Sequence, residues 1–178
     1  VAYKGTSYHG YQEQENAQTI AELLRGALSS VVDHPVNLRA SSRTDAGVHA
    51  LDLAVYFETS RIISMRGVVL GTNRLLPLDI RVVRAECYDA PMDPRRQSRG
   101  KIYRYHFWNG PVSSPLLADY AWHVPSPMDL ERAEDAVQAI CGKYDFSAFR
   151  ARGCAAKHAT RRIIRASLTN DGDPHSGV

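Results

Sequence analysis

The sequence predicts an α+β fold in two parts, on the strength of three observations. Segments of period two and of helical period follow one another in the order βαββαβ over residues 1–94. A Pro- and Arg-rich connector then runs from about residue 90 to 100. From Lys101 a second set of strand and helix patterns begins, with too few strands to repeat the first. The expected division is therefore 1–94 and 95–178, the second part incomplete.

Each element has a local reason. The opening Val1-Ala2-Tyr3 is apolar and leads straight into Lys4-Gly5-Thr6, so it reads as the end of a strand. Thr19 and Glu22 have capping-box spacing, and Ile20, Leu23, Leu24, Ala27, Leu28, Val31 and Val32 follow at helical intervals. His34-Pro35 ends that helix. Val36, Leu38 and Ala40 alternate with polar residues as a short strand, and Leu53, Val55 and Phe57 alternate as another. A helix is expected from about Ser64 to Leu75, before Pro77, and a β-branched strand over Ile80–Glu86. An antiparallel sheet with two helices on one face, a ferredoxin-like half, follows from this order.

In the second part, Tyr103, Tyr105 and Phe107 fall on one face of an expected strand, with Ile102, Arg104 and His106 on the other. A helix over about Asp129–Cys141 carries the stripe Leu130, Ala133, Val137, Ile140. Ile163–Thr169 is a further expected strand, and residues 170–178 read as a polar turn.

Composition limits the function classes. With 44% hydrophobic and 23% charged residues the chain has enough apolar material for a core, which excludes a disordered or fibrous protein. Apolar runs are short and broken by Arg or Asp, so no membrane span or leader is expected, and a cytosolic protein is. Cys87, Cys141 and Cys154 lack any Cys-x-x-Cys spacing and read as reduced, structural residues. The net charge is only +3, but the cations cluster. Arg95, Arg96, Arg99, Lys101 and Arg104 form one group, and Arg150, Arg152, Lys157, Arg161, Arg162 and Arg165 form another. Neither stretch holds an acidic residue, which points to a polyanion or to a solvated face.

Candidate chemistry concentrates on residues 41–50, SSRTDAGVHA. Two serines, an Asp and a Gly suit a tight turn, so Asp45 is either a turn residue or a reagent. There is no Gly-x-Ser-x-Gly elbow to support a hydrolase triad, and neither phosphate-cradling glycine motif occurs. A metal held by Asp45, His49 and Asp52 would need a helix to bring the first two together, where the pattern is loop and strand. What remains has a logic for RNA: arginines for phosphates, an aromatic ring for a base, and a carboxylate to act on a nucleotide drawn out of its helix.

The stretches RTDAGVHA (43–50), YKGTSYHGYQ (3–12), KIYRY (101–105) and YDFSAFRA (144–151), in this order, resemble the tRNA pseudouridine synthase A family over nearly the whole chain. The resemblance implies a largely antiparallel sheet of two ferredoxin-like halves, with the site in a basic cleft. It also implies conversion of uridine to pseudouridine in the anticodon arm of tRNA, by a homodimer that uses no cofactor and no metal. Asp45 corresponds to the aspartate that acts covalently, on base or sugar, while uracil is detached, rotated and rejoined through carbon 5. Arg43 matches the arginine that helps flip or hold the nucleotide, and Tyr103 the tyrosine packed against uracil; a structural ion pair and a core aromatic are their alternatives. Tyr105 is expected in the core. By analogy Arg95, Arg96, Arg150 and Arg161 line the RNA path. A non-catalytic RNA-binding module of the same fold is the alternative to the enzyme.

Three departures stand out. Lys4 occupies a position where the family usually has Asp, and Tyr11 one where it usually has Trp. The family also continues past the position of Val178 with a further active-site arginine, so this chain is expected to be a fragment that is inactive alone.

Overall fold

The computed structural model describes residues 1–150 and 158–172 and divides into two compact units, Val1–Arg104 and Tyr105–Val178. In chain order the first unit contains strand β1 (Ala2–Tyr3), helix α1 (Ile20–Val32), strands β2 (Arg39–Ala40) and β3 (Val55–Tyr56), helix α2 (Met65–Leu75), strand β4 (Ile80–Arg81) and a single helical turn, α3 (Pro94–Gln97). The second contains β5 (Phe107–Asn109), β6 (Trp122–Val124), helix α4 (Leu130–Ala139), β7 (Gly142–Asp145), a 3₁₀ turn at Ser147–Phe149 and β8 (Thr160–Ile163). This is a mixed α+β chain with short ladders. Among the described residues no helix is long and apolar enough to cross a membrane.

The helices of the first unit start where their caps are written. The Thr19 hydroxyl accepts from the Glu22 amide at 3.4 Å, and the Ser64 hydroxyl from the Gly67 amide at 3.0 Å. α1 ends on Asp33, whose φ of 62° is a left-handed conformation that Asp tolerates. α2 stops before Pro77, which cannot continue it. α1 packs on α2, with the β-carbon position of Gly71 only 3.1 Å from Val31 Cγ2.

β1 pairs antiparallel with β4 (Ala2 with Arg81, Tyr3 with Ile80), and β2 with β3 (Arg39 with Tyr56, Ala40 with Val55). The segment leading into β3 also bonds β1. Tyr3 and Ala50 exchange backbone hydrogen bonds of 2.8 and 3.0 Å, and the Leu53 amide donates to the Val1 carbonyl at 2.8 Å.

The core belongs to this unit. Ile20, Leu24, Leu28 and Val32 of α1 close over Tyr3, Tyr8, Tyr11, Val36, Leu53, Val68, Leu76, Ile80 and Val82. Leu24 is fully buried, so Leu24→Ala is expected to cost about 2–5 kcal/mol in urea unfolding. Leu130→Ala, at a side chain 43% exposed, should cost less than about 1 kcal/mol.

The second unit corrects several expectations. The α4 stripe is not a core face: none of that helix's residues is buried, and Leu130 and Ile140 are exposed. Its polar side is what is held. Glu134 accepts from the Leu168 amide at 2.7 Å, and Gln138 donates to the Ala166 carbonyl at 2.9 Å. The strand expected over Tyr103–Phe107 begins only at Phe107, because pairing starts where Phe107 meets Trp122; this β5–β6 pair is parallel. Tyr105 is 78% exposed, so it is not the core residue expected. The last strand lies at Thr160–Ile163 rather than over 163–169, paired antiparallel with β7, which the pattern did not show. Arg152, Cys154, Lys157 and Ala151 of the fourth motif, with residues 173–178, lie outside the described residues.

Candidate active site

Residues 43–50 form an irregular loop between β2 and β3, and the loop closes on itself at a turn. The Val48 amide donates to the Asp45 carbonyl at 3.2 Å, and Gly47 takes the third position with φ 80°, which glycine adopts at little cost. Asp45 is thus a turn residue through its backbone, while its side chain stands exposed. Burial alternates just before the turn: Arg43 exposed, Thr44 half-buried, Asp45 exposed. In extended backbone that alternation turns Thr44 inward and sends Arg43 and Asp45 outward together.

Residues 3–11 lie along this loop as a strap. The Tyr11 amide donates to the Thr44 carbonyl at 3.0 Å, the Gly47 amide to the Tyr8 carbonyl at 3.3 Å, and the Gly5 amide to His49 Nδ1 at 3.0 Å. Only an unprotonated ring nitrogen accepts, so His49 carries its proton on Nε2 in this arrangement. The Tyr3 hydroxyl lies 2.8 Å from Thr44 Oγ1. Two glycines make the approach possible. A β-carbon on Gly5 would meet the Val48 carbonyl oxygen at 2.1 Å, and one on Gly10 would meet the Thr44 oxygen at 2.6 Å. Gly10 also holds φ 86°.

The strap is fastened on its other side as well. The Ile20 and Ala21 amides, at the open start of α1, donate to the carbonyls of Gly10 and Tyr11 at 3.2 and 2.9 Å. The Tyr8 hydroxyl donates to Asp79 Oδ1 at 2.7 Å. Burial, and then this bond to a carboxylate, push the Tyr8 phenol up to about 12, so it remains a neutral donor. Burial likewise raises the Tyr11 phenol, whose hydroxyl finds no hydrogen-bond partner among the described residues. Lys4 joins the frame through its backbone, donating to the Asp79 carbonyl at 2.8 Å.

The other sequence-derived candidates fall in two groups. Tyr103 belongs to the first unit and is 70% exposed. Arg95 and Arg96 sit on α3, which lies against β2 and is capped by Asp93 accepting from the Arg95 amide at 2.9 Å. Both side chains are exposed, and Arg96 pairs with Asp93 at 3.6 Å, an acid just outside the basic stretch. Arg150 and Arg161 are exposed in the second unit, where Arg161 Nη1 donates to the His158 and Thr160 carbonyls at 2.8 and 2.9 Å. Asp52, weighed as a metal ligand, pairs with Arg84 at 3.0 Å. Among the described residues no cluster of three His, Cys, Asp or Glu side chains could hold a metal ion.

Of the supporting residues, His49 was weighed from the sequence only as a metal ligand, and Tyr3, Gly5 and Gly10 were not singled out individually. The spacing of glycines and tyrosines in YKGTSYHGYQ was the available sign of them.

No family model matches the chain. Among curated proteins it is 39% identical over 175 residues to tRNA pseudouridine synthase A of Geotalea uraniireducens, an alignment covering 97% of this chain and 71% of that protein. It is 41% identical to the protein of the same name from Geobacter sulfurreducens, with the same two shares. With the one from Myxococcus xanthus it shares 43% identity over all of this chain and 66% of the relative.

Proposed function

Because the chain belongs to the tRNA pseudouridine synthase A family, we propose that it isomerises uridine to pseudouridine in the anticodon arm of tRNA, with Asp45 as the covalently acting carboxylate. The observation that carries this reading is the loop geometry. Arg43 and Asp45 stand exposed together on a segment whose backbone is bonded along its length to residues 3–11. Such a loop presents two charged groups at a fixed spacing without strand or helix, which is what positioning of a flipped nucleotide requires.

In the reaction the bond between uracil N1 and ribose C1′ breaks, and a bond from C5 to C1′ replaces it. The C5 proton leaves to solvent and N1 gains one. Asp45 supplies the carboxylate that splits this exchange into two steps. Arg43 holds the extruded nucleotide through its phosphate, and Tyr103 stacks on the base. No cofactor or metal enters.

We extend the proposal to the architecture. The bonds of β1 to β4 and to the segment entering β3, with the β2–β3 pair, support a ferredoxin-like order β4-β1-β3-β2 for residues 1–94. Residues 95–178 would form part of a second such half, in a cytoplasmic homodimer.

Since the chain is expected to be inactive alone, the test is made on the full-length protein that carries it: release of tritium from tRNA labelled at uridine C5, since isomerisation expels that hydrogen. Release into solvent with pseudouridine in the product supports the enzyme; tight tRNA binding without release supports a binding module instead. On the RNA path we place Arg95, Arg96, Arg150 and Arg161. Charge reversal of Arg95 and Arg96 together is expected to weaken tRNA binding and to flatten its log–log salt slope by about 0.7–0.9 for each phosphate no longer neutralised. A slope equal to wild type would take α3 off the path.

A further inference from the structure

Resting on the reading of Asp45 as the reactive carboxylate, we infer that Tyr3 is a positioning residue, whose hydroxyl, bonded to Thr44, sets the direction in which Arg43 and Asp45 project.

Tyr3 is 5% exposed and touches the loop at both ends. Its backbone exchanges two hydrogen bonds with Ala50, and its hydroxyl reaches Thr44 Oγ1 at 2.8 Å. One residue thus spans the loop mouth, its backbone at residue 50 and its side chain at residue 44. Thr44 is the inward member of the alternating triplet 43–45. Its rotation decides where its two neighbours point, because successive side chains leave an extended backbone on opposite sides. The Thr44 carbonyl is already held by the Tyr11 amide at 3.0 Å. The Tyr3–Thr44 bond adds a second anchor at this residue, on its side chain rather than its backbone.

Burial also favours a bond over mere contact. A buried phenol loses much if its hydroxyl is left unpaired, and Tyr3 is buried where Thr44 is half-buried. The phenol is held above its ordinary ionisation range by burial, so it stays neutral across the working pH.

The test compares Tyr3→Phe, Thr44→Val and the double variant, each in the full-length protein that carries this chain, with wild type. Each single change is expected to lower the single-turnover rate of tritium release roughly ten- to a hundredfold, with tRNA affinity held within about threefold, since it misplaces the reacting groups without removing a phosphate contact. The double variant should be no slower than the slower single one, because both changes delete the same bond. Thr44→Ser, which keeps the hydroxyl, should retain far more of the rate than Thr44→Val. Hydrogen exchange provides a readout that does not depend on activity: in Tyr3→Phe the amides of Tyr11, Gly47 and Val48 should exchange faster while those inside α1 do not change. Rate losses that multiply in the double variant, or a Tyr3→Phe protein with wild-type rate and exchange, would overturn the inference. A full-length wild-type protein that releases no tritium defeats the reading of the site and this inference with it. Release by wild type beside an equally active Tyr3→Phe defeats the inference alone.

Discussion

Replacing Asp45 with asparagine in the full-length protein that carries this chain is expected to reduce pseudouridine formation by at least about four orders of magnitude while tRNA affinity stays within a few fold. The fold gives the variant no reason to fail. The turn at 45–48 is closed by the Asp45 carbonyl, which asparagine keeps, and the side chain is exposed rather than packed. Asparagine is also as well suited as aspartate to a turn. What it lacks is the anionic oxygen that can form and later release a covalent bond. Tritium release and filter binding on the same preparation separate the two effects. Substantial turnover by Asp45→Asn would return Asp45 to the role of a turn residue and leave the chemistry to be found elsewhere. A variant that lost tRNA binding as steeply as turnover would show a contact with RNA rather than a reagent.

The parts of the molecule legible in the sequence are those specified by near neighbours. The capped starts of α1 at Thr19, of α2 at Ser64 and of α4 at Asp129 are contacts over three residues, and periodicity between the caps is equally local. Strands were legible in position but not in length. The alternating runs at 36–40, 53–58 and 80–86 pair over only two residues each, because a ladder extends as far as its partner does, and the partner lies far off in the chain. The apolar stripe of α4 shows the same limit from the other side, since periodicity reports a face and not what covers it. The site divides similarly. Arg43 and Asp45 were marked by their motif, whereas Tyr3 acts on Thr44 from 41 residues away and Gly5 on Val48 by having no side chain. A close approach that depends on an absent atom leaves no trace in composition or spacing beyond the glycine itself.

Gly5 is therefore where the second large effect is expected. Its backbone lies outside the left-handed region, so alanine meets no conformational penalty there, and the whole cost is steric. An added β-carbon would sit 2.1 Å from the Val48 carbonyl oxygen and 2.7 Å from the Val48 carbonyl carbon, both backbone atoms. No rotamer change can relieve that overlap. Either residues 3–11 or the loop has to move by about an ångström to restore van der Waals contact, and a shift of that size in reacting groups can cost on the order of a hundredfold in rate. The bond from the Gly5 amide to His49 Nδ1 would be stretched in the same movement. Gly5→Ala is expected to destabilise the protein by about 2–4 kcal/mol and to depress single-turnover tritium release about a hundredfold. Gly26→Ala provides the matching control: Gly26 is exposed within α1 and nothing lies within 4 Å of its β-carbon position. There the same substitution removes a flexible residue from a helix and should stabilise by about 0.5–1 kcal/mol with the rate unchanged. Opposite signs in urea unfolding, with the rate loss confined to Gly5→Ala, are the expected result; a Gly5→Ala protein as stable and as active as wild type would mean that residues 3–11 do not hold the Asp45 loop.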